Sequence, residues 1–162
     1  MRPADPNEPR VARVVAGARR SGLDIEPVTF ENETRTAEQA ANEIGCDVAA
    51  IVKSLVFQAD GRALLFLVSG ANRLDPRRAA AAAEVGAVAK ADAALTKSAT
   101  GFSIGGVPPF GHLNELPVIV DRDLLRFDEV WAAAGRPDTV FPIDPNELAR
   151  AAGGRVAALK AE

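Results

Sequence analysis

The sequence predicts an α/β fold: a single domain in which helices surround a mixed, mostly antiparallel sheet. Three observations point there. Short apolar runs alternate with capped helical segments along the chain, which is the pattern of helices packed on a sheet. The central stretch "AAIVKSLVFQADGRALLFLVSG", residues 49–70, reads as two apolar strands joined by Asp60-Gly61, a hairpin turn. The chain has 162 residues, 48% of them hydrophobic and 25% charged, enough for one domain with its own core. The sheet is either open or closed as a barrel. No repeat, linker or low-complexity tail divides the chain.

The elements follow in order. "NEPRVARVVAGARRSG" spaces Val11, Val14, Val15 and Ala18 as one helical face, predicting a helix over about 7–21 with Gly22 as its stop. "LDIEPVTF" reads as a short strand, with Pro27 marking an edge. Thr36 and Gln39 fit a capping box that opens a helix ending at Gly45, and Asp47 caps one further turn. After the hairpin, Asp75 and Pro76 start a helix expected to end at Gly86, and Asp92 starts another. "GFSIGGVPPFGHLNELPVIVD" is too rich in Gly and Pro for regular structure until the strand "LPVIVD". "FDEVWAAAG" and "DTVFPI" read as strands around a turn from Gly135 to Asp138. "DPNELARAAGG" repeats the Asp-Pro helix start, and "RVAAL" is a last strand.

Composition narrows the function classes. The net charge is −3, which argues against a broad basic face for nucleic acid but leaves room for local recognition of one end. Seven Phe, one Trp and no Tyr make a stacking platform for single strands unlike this chain. One Cys and one His exclude an internal disulfide and argue against a Cys/His metal centre. The N-terminus lacks the apolar core of a signal peptide, and no run is long enough to span a membrane. A cytoplasmic monomer without metal or cofactor is the expectation.

Several residues stand out. Gly105, Gly106, Val107, Pro108, Pro109, Phe110 and Gly111 form "GGVPPFG". Glycines let amides approach a ligand, and prolines stiffen the loop, a combination suited to binding an oxygen anion or carbonyl. A tight turn without a ligand accounts for the same composition. Lys53, one of only four lysines, sits inside an apolar strand. It reads either as a lysine guarding an edge or as a cation at a cavity rim. His112, the only histidine, directly follows the loop. Asp121 ends "LPVIV", where it serves either a site or the cap of "RDLL"; capping is the better fit. Cys46 reads as packing and Trp131 as core or a strand-face anchor. No serine sits in a nucleophile elbow.

Together, "TAEQAANEIGCDVAAIVKSLVF", "LLFLVSGANRLDPRRAA", "TGFSIGGVPPFGH" and "LPVIVDRDLL" resemble the YbaK/prolyl-tRNA-synthetase-associated domain family, the free-standing trans-editing deacylases. The resemblance covers roughly residues 25–160. It implies a β-barrel-like mixed sheet wrapped by helices. It implies that Lys53 holds the 3′ end of an aminoacyl-tRNA at the pocket mouth. It also implies that the Gly-x-x-x-Pro loop, Gly105 to Pro109, lines the place of the aminoacyl group. The implied chemistry is hydrolysis of a mischarged ester by water, without metal or covalent intermediate, and the implied partners are a mischarged tRNA and a synthetase. Ser54 stands where many relatives have threonine, and His112 marks a subgroup. With Phe110, Gly111 and Asp121 they complete the expected substrate-binding set. A side chain at Gly106 is expected to fill the pocket. A module that binds an acceptor end, a nucleotide or a protein without catalysis, and a hydrolase of other activated acyl esters, are the competing readings.

Overall fold

Capping chemistry sets where the helices begin. The computed structural model describes residues 1–162. A two-residue strand β1 (Arg2–Pro3) precedes α1 (Pro9–Arg20), which starts on the Glu8 carboxylate and buries Val11, Val14, Gly17 and Ala18. After β2 (Val28–Thr29) comes α2 (Ala37–Ile44), capped by the Thr36 hydroxyl and closed by Gly45 at φ 84°. Gln39 completes the cap by accepting from the Arg35 amide, one residue before the expected Thr36. Asp47 caps the 3₁₀ turn Val48–Ala50, as its position predicts.

The hairpin is β3 (Val52–Ala59) and β4 (Arg62–Ser69), with positive φ at both Asp60 and Gly61. That is the mirror-image turn whose twist matches the strands. α3 (Pro76–Ala82) starts on Asp75 but stops before Gly86. Glu84 itself takes φ 59°, and the Val85 amide reaches back to Ala80 O, so a glutamate serves as the left-handed cap. β5 (Ala89–Lys90) and α4 (Ala93–Thr100) lead into the irregular loop. Then follow β6 (Val118–Asp121), the 3₁₀ turn Arg122–Arg126, β7 (Val130–Ala133), β8 (Thr139–Ile143), α5 (Pro145–Ala152) and β9 (Arg155–Ala157). β1 and β5 carry no sequence signal, because two residues show no periodicity.

The mixed sheet is laid out as two sheets, in the orders β1-β2-β8-β7 and β5-β3-β4-β6-β9. The first is antiparallel throughout; in the second, β6 and β9 run parallel to β4. The main core lies between them: Val52, Val56, Leu65 and Leu67 face Val130, Ala132, Phe141 and Ile143, with α1 and α5 sealing the ends. On the outer face of the larger sheet, Phe57, Leu64, Phe66 and Val68 pack under α3 and Leu159. β4 is therefore buried on both faces, which is why it reads as an unbroken apolar run. Truncating fully buried Phe66 to alanine costs about 3–5 kcal/mol.

One isolated bridge joins the two sheets, Ile51 with Trp131. β5 pairs with β3 only at Phe57 and Gln58. Between that short strand and the bridge, the edge of β3 around Ser54 carries no neighbouring strand. That gap opens the site.

Candidate active-site cleft

A cleft of about 740 Å³ lies along the open edge of β3. Its walls are apolar, with Phe30, Ile51, Trp131 and Val140, and its charged groups are Lys53, Arg35, Glu33 and Glu38. α2 contributes Glu38 from its first turn, β3 contributes Lys53 and Ser54, and the Gly/Pro loop contributes Gly105 and Val107. Of the residues singled out in the sequence, the fold brings Lys53, Ser54, Gly105, Val107 and Trp131 to this one cavity.

Lys53 is half-buried, and its Nζ donates to the backbone carbonyl of Asn72. Burial pushes its pKa below the ordinary lysine value, while the carboxylates of Glu38 and Asp121 pull it back up. An ammonium has three donors, so two remain for a ligand. Beside it, the Ser54 hydroxyl is buried and has no hydrogen-bond partner within the protein.

The loop has two faces. Gly105, at φ 92°, needs glycine for its backbone shape, and it borders the cleft with Val107. The Gly106 amide is already engaged by Ser103 O at 3.0 Å, whereas the amides of Gly105 and Val107 donate to nothing within the protein. Gly106 does not face the cavity: a Cβ there would lie 2.7 Å from Gly135 O, in the turn between β7 and β8. A side chain at Gly106 therefore pries the loop from that turn rather than filling the pocket, a correction to the sequence expectation.

The rest of the loop points away from the cleft. Pro108 and Pro109 are buried, and Phe110 packs on Phe141 with ring centroids 5.7 Å apart. Gly111 lies against α1, where a Cβ on Gly17 would come within 2.8 Å of its Cα. His112 Nε2 donates to Pro108 O at 2.7 Å, and burial holds its pKa below the usual histidine value. Pro109, Phe110, Gly111 and His112 border a separate cleft of about 660 Å³ on this far side. Asp121 is fully buried and lines neither cleft. Its Oδ1 caps the 3₁₀ turn by accepting from Asp123 N, and its Oδ2 accepts from Ser69 N and Asn72 Nδ2. Direct substrate contact by Asp121 is thus replaced by a role behind the site.

Sequence reasoning passed over Asn72 and Glu38. Glu38 reads as an ordinary first-turn acid, and Asn72 belongs to the turn "SGAN", where asparagine is commonplace. Trp131, read as core or anchor, is half-exposed and forms a wall of the cleft. Cys46 packs between α2 and β8 with its thiol pKa raised by burial and by Asp47. No helix is long and apolar enough to cross a membrane.

The comparisons with known proteins agree with this layout. A solved structure described as "a putative trans-editing enzyme for prolyl tRNA synthetase" is 42% identical. It superposes with a TM-score of 0.90 over 96% of this chain and 99% of its own. A scaffold protein from a computational epitope-grafting design is 40% identical, with a TM-score of 0.88 over the same shares of both chains. The uncharacterized protein YwhH of Bacillus subtilis (strain 168) is 32% identical over 120 residues, 74% of this chain and 76% of that one. The family model for the aminoacyl-tRNA editing domain matches residues 31–151, which hold β3, α2 and the Gly/Pro loop. The chain belongs to the aminoacyl-tRNA editing domain family.

Proposed function

We propose that this protein is a hydrolase that removes a wrong amino acid from a mischarged tRNA. The observation that carries the reading is the meeting, on one largely apolar cleft, of Lys53 with Gly105 and Val107, whose amides have no partner within the protein. A cation and two unspent amide donors suit an ester whose carbonyl oxygen gains charge and whose ribose is flanked by phosphate. A cavity of about 740 Å³ has room for an aminoacyl group together with part of the terminal nucleotide.

The chemistry is short. Water adds to the ester carbonyl carbon, and the oxygen that gains the electron pair leans on the Gly105 and Val107 amides. The C–O bond to the terminal ribose then breaks, the ribose oxygen takes a proton, and the free amino acid leaves. Lys53 binds a phosphate of the acceptor end, while the vicinal ribose hydroxyl positions the water. The Ser54 hydroxyl, unpartnered in the folded chain, is available to the substrate. Editing is needed because a synthetase pocket rejects a smaller or near-isosteric amino acid only weakly. Small side chains on tRNA(Pro), namely alanine, 2-aminobutyrate, serine and cysteine, are the substrates proposed.

The net charge of −3 supports a local contact with the acceptor end, aided by a synthetase that delivers the tRNA in the cytoplasm. Deacylation of tRNA(Pro) charged separately with each of these amino acids and with proline tests the reading. Rapid loss of one wrong amino acid with proline spared is expected. No acceleration with any of them, together with measurable binding of uncharged tRNA, would mean a binding module instead.

A further inference from the structure

The proposed site leaves one buried cluster unused. Behind Lys53, the turn Ser69–Asn72 is tied down from several sides. Ser69 Oγ donates to Ala49 O at 2.7 Å, and the Gly70 amide donates to Ile51 O at 2.7 Å. A Cβ on Gly70 would lie 2.4 Å from Val48 O, so the turn sits directly on the 3₁₀ segment before β3. From below, Asp121 Oδ2 accepts from Ser69 N at 3.1 Å and from Asn72 Nδ2 at 2.8 Å. Asn72 Nδ2 also reaches Asp123 Oδ2 at 2.8 Å. Gly70 of this turn borders the cleft, and the Asn72 carbonyl ties the network to the site by accepting from Lys53 Nζ.

The parallel pairing of β4 with β6 makes this possible. Because the two strands run the same way, their C-terminal ends lie side by side, bringing Ser69 next to Asp121. A long lysine side chain otherwise loses rotamer freedom when it is held in one place. A fixed carbonyl reduces that loss at the moment of binding.

We propose that Asn72 and Asp121 are positioning residues that hold the Lys53 ammonium toward the mouth of the cleft. The inference rests on the proposed role of Lys53 in deacylation. Asp121 is fully buried with its carboxylate bonded on both oxygens, so its charge reaches Lys53 through protein rather than through water. The charged groups around Lys53 are Glu38 from α2, Arg35 and Glu33 from the segment before it, Asp121 from β6, and Asp123 through Asn72. Glu38 and Asp121 are the two that oppose the loss of its proton.

The test reads Lys53 twice. Competitive labelling of the lysines across pH, followed by mass spectrometry, compares Lys53 with Lys90, Lys97 and Lys160 in wild type and Asp121→Asn. Lys53 in the variant is expected to become reactive at lower pH than in wild type, with the other three unchanged. In parallel, the single-turnover rate on mischarged tRNA should fall about tenfold to hundredfold at neutral pH. Its alkaline limb should move to lower pH, and Asp121→Glu should move that limb back. An unshifted Lys53 titration in Asp121→Asn would overturn the inference. So would a rate loss uniform across pH. Wild type with the labelling pattern but no turnover would instead count against the deacylase reading alone. Should Asp121→Asn fail to fold, Asn72→Ala keeps the carboxylate bonded to Ser69 and loosens only the turn. Lys53 labelling is then expected to rise severalfold, and labelling equal to wild type would sink the proposal.

Discussion

Lys53 and His112 are held in the same way and border different clefts. Each donates from a side-chain nitrogen to a backbone carbonyl, Asn72 O for the lysine and Pro108 O for the histidine. Burial lowers the pKa of both. The lysine has Glu38 and Asp121 to favour its charge, whereas the histidine has only the Pro108 carbonyl. Lys53 borders the larger cleft with Gly105 and Val107, while His112 stands behind the loop with Phe110 and Gly111. A polar side chain next to a functional loop can therefore belong to its working face or to its foundation. Which one is decided by the direction of the backbone, not by nearness in sequence.

The sharpest way to break this comparison is to remove the lysine. Lys53→Ala is expected to lower single-turnover deacylation by about 10²-fold or more, the scale of losing a preorganised electrostatic partner. Its thermal midpoint should stay near that of wild type, because the half-buried ammonium contributes little net packing. Activity within a few-fold of wild type would move the working face elsewhere.

Gly106→Ala comes next. The added Cβ meets the backbone of Gly135 and Arg136, which cannot move aside as a side chain can. A loss of about 1–3 kcal/mol in denaturant unfolding is expected, together with reduced turnover as the loop lifts. Unchanged stability would show that the loop is not seated on the β7–β8 turn.

Removing the histidine should do less. His112→Ala loses one hydrogen bond and some packing, about 1–2 kcal/mol, with the chemical step within a few-fold of wild type. The same residue predicts a pH effect. Its folded-state pKa lies below the ordinary value of 6.5, so the unfolded chain binds this proton more readily. Stability conferred by the neutral ring is fully present above that pH and declines as pH falls through it. Thermal unfolding of wild type between about pH 7 and pH 5 should decline more steeply than that of His112→Gln. Parallel curves would mean that the ring is not held neutral.

Much of the fold was legible in the chain because the signals were local. Asp75-Pro76 and Asp144-Pro145 announce helix starts, Asp60-Gly61 announces the hairpin, and Gly45 and Gly101 take the left-handed caps. The end of α3 was misread because a glutamate occupies the left-handed position where glycine is the usual signal. The strand order was not readable at all, since the parallel pairing of β6 with β4 joins residues some fifty positions apart. The site shows the same division. Lys53 stood out as a cation in an apolar strand, and Gly105 and Val107 came with the loop. The sorting of Pro109 to His112 onto the far side depends on α1, whose Gly17 admits Gly111 at close range. Asp121 ends a strand as expected, but only the tertiary fold places Asn72 between it and Lys53.

The central claim is that ester hydrolysis belongs to the Lys53 face of the loop. Single-turnover deacylation of one mischarged tRNA by wild type, Lys53→Ala and His112→Ala, measured side by side with matched folded fractions, tests it most directly. The account predicts a loss of about 10²-fold or more in the lysine variant and a change of no more than a few-fold in the histidine variant. Equal losses in both variants, or a larger loss in His112→Ala, would contradict it.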